Sequence, residues 1–189
     1  MKLRTFAWFV LTSVLVGCHP VKPLDQTIPA GSSNEFTLWR KHVRQSLDAA
    51  QWADFDVAVQ EIKIRMMIDR IASGGEAVDE AMRARINGSS VREVLKIGFR
   101  SKYDRLNGER SELEDVIKIN AKMRTIPGHT DSEDFLREKR RLQAEDLETI
   151  MEKIRQVEAK LKIYYPEYLE KAPIQAPAAN APAAPVTGD

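Results

Sequence analysis

Cysteine is almost absent: the 189-residue chain has one, Cys18. A single thiol closes no internal disulfide, so the fold must rest on packing. Histidine is nearly as scarce, with His19, His42 and His129 the three in the chain. They have neither the number nor the spacing of a zinc site. No glycine-rich loop is arranged to cradle phosphate, and no serine stands in a nucleophile elbow. An excess of one charge is lacking as well. With 29 basic and 28 acidic residues the formal charge is +1, which gives no bulk attraction to nucleic acid or acidic polymers. The N-terminal apolar run, Phe6 to Gly17, has 12 residues; as a helix it would reach about 18 Å, short of the ~30 Å hydrocarbon core of a bilayer. These absences lead us to expect no catalytic residues, no metal and no nucleic-acid partner.

What is present begins with the environment of that cysteine. Lys2 and Arg4 precede the apolar run and Gly17 closes it, which are the three parts of a secretory signal. Leu15-Val16-Gly17-Cys18 resembles the lipobox of bacterial lipoproteins. The resemblance implies that residues 1–17 are a lipoprotein signal peptide cleaved after Gly17. It also implies that Cys18 carries a covalent lipid, with no other cofactor expected. A buried thiol, a reactive thiol or an intermolecular disulfide are the competing readings, and each leaves the cysteine's place at the cleavage point as coincidence. More than one acyl chain anchors a protein stably where a single chain binds only marginally. In the sorting rule of enterobacterial lipoproteins, a residue other than Asp after the cysteine, here His19, implies the outer membrane, facing the periplasm. Cleavage removes Lys2 and Arg4, leaving 27 basic against 28 acidic residues.

Residues 18–31 hold three prolines and no helical or strand period, and read as the lipidated cysteine followed by a flexible leash. At the other end, residues 169–189 close in a stretch made mostly of Ala and Pro, expected to be a disordered tail of polyproline II character. Between these the periodicity is helical throughout. Ser32 with Glu35 forms a capping-box signal, and Phe36, Trp39, Val43 and Leu47 follow as one stripe, predicting a first helix to about Ala49. Trp52, Phe55, Val59, Ile62 and Met66 predict a second, stopped at Ser73-Gly74-Gly75. A third, shorter helix is expected over Glu76–Ile86. Asn87-Gly88 then turns the chain, and Ser90 with Glu93 restarts it.

From there Phe99, Tyr103, Leu106, Arg110, Leu113, Ile117 and Asn120 recur at spacings of four and three, a heptad seam with polar interruptions. It keeps phase through Asn107-Gly108, so we expect one helix over Ser90–Arg124. After Pro127-Gly128 a second seam runs through Leu136, Arg140, Gln143, Leu147, Ile150, Ile154, Val157, Leu161 and Tyr164 to Pro166. The expected architecture is all-α: three short helices, residues 32–89, packed on the base of a long antiparallel coiled-coil-like hairpin, residues 90–168. Folding about Gly128 would set Phe99 near Val157, Tyr103 near Ile154 and Leu106 near Ile150. The segment Trp39–Leu106, above all "INGSSVREVL" after "SLDAAQWADFDVAVQEI", resembles an uncharacterised family of small bacterial lipoproteins; it implies no activity.

Two further stretches carry weighable chemistry. "HTDSED", His129–Asp134, sets a histidine beside carboxylates, but the residues serve better as helix-capping and N-terminal acidic groups than as metal ligands. "REKRR", Arg137–Arg141, is a basic cluster balanced by Glu138, Glu145 and Asp146, and reads first as a solvated helix face. The helix-turn-helix look of Val78–Gly98 is accounted for by the stop and restart at Asn87–Glu93. Trp39, Trp52 and the late "YYPEY" read as packing ahead of saccharide stacking. The candidate interaction surface is therefore the polar end of the hairpin: Arg110, Asn120, Arg137, Lys139, Arg140 and Arg141. A lipid-anchored, non-catalytic interaction module is the expected function, its partner an unknown envelope protein. The alternatives are self-association through paired hairpins and inhibition of a cell-wall hydrolase.

Overall fold

The computed structural model describes residues 22–124 and 130–167. The expected signal segment with Gly17, the lipidation candidate Cys18, the expected turn at Pro127, Gly128 and His129, and the Ala/Pro-rich tail lie outside them. The described residues form an all-α bundle without a sheet: α1 (Ser33–Val43), α2 (Ala49–Ile68), α3 (Gly75–Ile86), α4 (Val91–Ala121) and α5 (Thr130–Tyr164), after a single 3-10 turn at Pro23–Asp25.

Capping chemistry sets the helix starts. Ser32 and Ser90 each accept from the backbone N–H three residues on, and Glu35 and Glu93 accept back from the cap residue's own N–H. Asp48 and Gln51 form a third capping box, and it corrects the expectation that the first helix runs to Ala49. The apolar stripe keeps phase through Leu47, which is buried, yet the chain leaves the helix after Val43 and restarts at Asp48 because two backbone donors are satisfied there. α2 ends at Ile68, ahead of the Gly pair, and α4 ends at Ala121, three residues short of Arg124. Gly108 leaves α4 unbroken.

Part of the expected leash belongs to the fold. Ile28 and Ala30 are fully enclosed, and their segment lies along the α3–α4 turn. Ile28 N–H donates to Ser89 O at 2.8 Å, Gly88 N–H to Ile28 O at 2.9 Å and Val91 N–H to Gln26 O at 3.1 Å. The Asn87 side chain accepts from Ala30 N–H at 2.8 Å. Gly88, with φ 78°, supplies the left-handed turn that presents these groups. Residues 22–31 therefore dock where a leash was expected, because the turn's backbone donors and acceptors find no other partners.

The core lies where α2 crosses the first half of α4. Gly98 of α4 meets Ala58 of α2 so closely that a Cβ on Gly98 would stand 2.6 Å from the Ala58 carbonyl oxygen. Phe55, Ile62, Leu95 and Leu161 fill the space beside this crossing. Phe36, Trp39, Trp52 and Phe55 form a run of ring contacts, with Trp39 meeting Phe55 edge-on at 5.6 Å, so Trp39 and Trp52 pack against the core.

α5 lies against α4 with the chain running the other way: Lys96 pairs with Glu167, Phe99 stacks on Tyr164 at 5.9 Å, and the Tyr103 hydroxyl donates to Glu158 at 3.4 Å. These pairs set α5 one to two turns, about four to seven residues, away from the register that folding about Gly128 gives. Register is decided at the other end of α5, where Tyr164 is held by α2.

Candidate functional site

Among the described residues two charged side chains enter the interior, and both fasten α2 to the long helices. Asp54 is 8% exposed and accepts from the Tyr164 hydroxyl and the Lys160 ammonium, each at 2.8 Å. Burial, followed by the hydrogen bond to and charge of Asp54, pushes the Tyr164 phenol well above its usual range, so the tyrosine stays a donor. Glu61, 6% exposed, accepts two hydrogen bonds from the Arg105 guanidinium, at 2.7 and 3.1 Å. Arg105 also reaches Glu109, and its hydrogen bonds to the Glu61 carboxylate are the first cause of its raised pKa. Asp54, Glu61 and Arg105 line an open groove of about 500 Å³ whose floor includes Val57, Phe99 and Val157. Its charged groups are mostly spent on one another, the pattern of a structural fastening.

Past Leu106 the arrangement changes. The buried residue of α4 there is Asn120, and between Thr130 and Ile150 α5 buries Leu136 and Gln143. Two of these three are amides. The Asn120 side-chain nitrogen is enclosed without a hydrogen-bond partner, and so is the Nε of Arg110, which stands 3.6 Å from Glu114. Enclosed donors without acceptors are costly and uncommon in a finished core. On the outside, Val116 and Ile119 of α4 are exposed three apart, with Met123 just past the helix end, and Phe135 and Leu142 of α5 are exposed seven apart, which leaves apolar side chains on one face of each helix.

The six residues of the expected interaction surface fall into three groups. Asn120 is buried, and Arg110 is half-buried with its Nε enclosed. Arg140, placed on the seam by spacing, is exposed instead, because an unpaired guanidinium cannot enter an apolar layer while Leu136 and Gln143 occupy it. Arg137 and Arg141 form ion pairs within α5, with Asp134 at 3.3 Å and with Glu138 at 2.6 Å, and Arg141 also pairs with Glu145. That pairing holds the Glu138 carboxyl below its usual range. Lys139 and Arg140 make no ion pair among the described residues. Spacing missed the apolar stripes, whose residues fall outside the seam and read as ordinary exposed positions.

The described residues contain no group of three or more His, Cys, Asp or Glu able to hold a metal ion, and no helix long and apolar enough to cross a membrane. No family model, curated protein or solved structure matches the chain.

Proposed function

We propose that the chain is a lipid-anchored envelope protein whose long helices form a coiled-coil-like hairpin, with the distal half of that hairpin as a non-catalytic docking surface. The observation that carries this reading is the coincidence, in one half of α4 and α5, of exposed apolar stripes with enclosed donors that lack acceptors. Exposed apolar patches mark interaction sites, and enclosed donors without hydrogen-bond acceptors mark a seam that is not a finished core. The anchor rests on Leu15–Cys18 and the signal before it. Cys18 stands four residues before the first described residue, Lys22, so a lipid there would hold the domain within about 14 Å of the membrane. The docked segment 22–31 would thus seat the base of the molecule against the bilayer and direct the distal half away from it.

Photo-crosslinking in cells from a probe at Ile119 or Phe135 tests the reading, with Cys18→Ser as the unanchored control. One envelope protein captured from both positions, and lost in the control, is the expected result; capture of nothing would remove the proposal's basis. Stripes at helical spacing also suit a second copy of the chain, completing a four-helix core. Sedimentation equilibrium separates the two, since only the second reading gives a concentration-dependent dimer that Phe135→Ser dissolves.

A further inference from the structure

A second groove, of about 370 Å³, opens between α1, α2 and α3, far along the chain from the distal hairpin. Its lining carries five cations and one carboxylate. That carboxylate, Asp79, is engaged by Lys63, and Arg40 is engaged by Asp56 outside the lining. Lys41, Arg44 and Arg83 remain without an acidic partner among the described residues. Arg83 lines the groove, is half-buried, and makes no ion pair or side-chain hydrogen bond among the described residues. Trp52 holds Arg44, whose guanidinium lies 5.9 Å from the ring, beside that of Arg40 at 5.2 Å. Cation–π contact of this kind holds guanidinium groups in place ahead of any ligand.

We infer that this groove binds a phosphate-bearing ligand, with Lys41, Arg44 and Arg83 as its anion contacts. Guanidinium pairs match phosphate oxygens in bidentate fashion, where a monovalent carboxylate would leave most of the three cations unused. The volume is that of a small-molecule or headgroup site, and Trp52, Phe36 and Met82 offer apolar surface beside the charge. Two sources present this chemistry: a free phosphate ester and the headgroup of an anionic phospholipid. The inference stands on the groove alone and survives failure of the docking proposal.

Calorimetric titration of the full chain decides it, with glycerol 3-phosphate, dihexanoyl phosphatidylglycerol below its micelle concentration, and dihexanoyl phosphatidylcholine as probes. Binding of either anionic probe in the micromolar to low millimolar range, with dihexanoyl phosphatidylcholine at least about tenfold weaker, is the expected result. Preference for the lipid assigns a headgroup; equal or better binding of glycerol 3-phosphate assigns a free ester. Arg44→Glu and Arg83→Glu should each weaken binding about tenfold, while Arg137→Glu on α5 leaves it unchanged. Because Arg83 is half-buried, Lys41→Glu at an exposed position repeats the test without threatening the fold. Failure of both anionic probes at millimolar concentration, or binding indifferent to all three groove substitutions, overturns the inference.

Discussion

The first half of α4 buries Val91, Val94, Leu95, Phe99 and Leu106, and the second half buries Asn120. Both halves carry the same heptad rhythm, so the seam alone does not explain the contrast. The difference lies in a third helix. α2 crosses α4 at Gly98 and fastens to the long helices through Glu61–Arg105 and Asp54–Tyr164, enclosing that half from a second side. Beyond Glu109 none of these fastenings reaches the helix pair, and two helices alone cannot enclose both faces of a seam. Periodicity therefore predicts which residues face a neighbour, while the number of neighbours decides whether they leave water.

The contrast breaks most sharply at the crossing. Gly98→Val should destabilise the protein by about 3 kcal/mol, since the new atoms meet the Ala58 backbone, which cannot rotate aside as a side chain can; chemical denaturation checks this. Arg105→Ala should cost about 2 to 4 kcal/mol by leaving the buried Glu61 carboxylate without its bidentate partner, whereas Arg141→Ala, at a fully exposed pair, should leave the denaturation midpoint nearly unchanged.

Alkaline pH separates the halves by another route. The phenols of Tyr164 and Tyr103 are both raised, by burial first and then by Asp54 and Glu158 respectively. A group raised in the folded state contributes stability in full below its unfolded value, about 10 for tyrosine, and loses it as pH climbs through the folded value. Thermal midpoints should therefore fall above about pH 10, and less steeply in Tyr164→Phe. In the distal half the sign of substitution should reverse. Asn120→Leu should stabilise the isolated protein by about 1 kcal/mol, because an enclosed donor without an acceptor is replaced by an apolar side chain. Phe135→Ser should shift the midpoint least, within about 0.5 kcal/mol, while abolishing capture from a probe at Ile119.

Much of this was readable in the chain. Capping boxes at Ser32 and Ser90, the continuity of α4 through Gly108 and the polar seam residues Arg110, Asn120 and Gln143 all follow from local pattern. The break before Asp48 was also written there, as Asp48-x-x-Gln51, but the stripe through Leu47 masks it. Docking of residues 22–31 was not legible, since it depends on backbone groups of a turn nearly 60 residues away, and Pro-rich sequence reads as linker. Register escaped for a similar reason: it is tied to the Asp54–Tyr164 contact, which spans 110 positions. The basic groove had one local trace, the run Arg40-Lys41-His42-Val43-Arg44, and acquires its meaning when α3 brings Arg83 beside it.

The central proposal, that the first half of the α4–α5 pair is a finished core and the second half awaits a partner, is tested most directly by native-state hydrogen exchange on the isolated protein. Amides of α4 from Val94 to Leu106 should exchange only through global unfolding, and those from Leu113 to Ala121 through a local opening at least about 2 kcal/mol less costly. Equal protection along the whole of α4 in the absence of any partner would contradict the account.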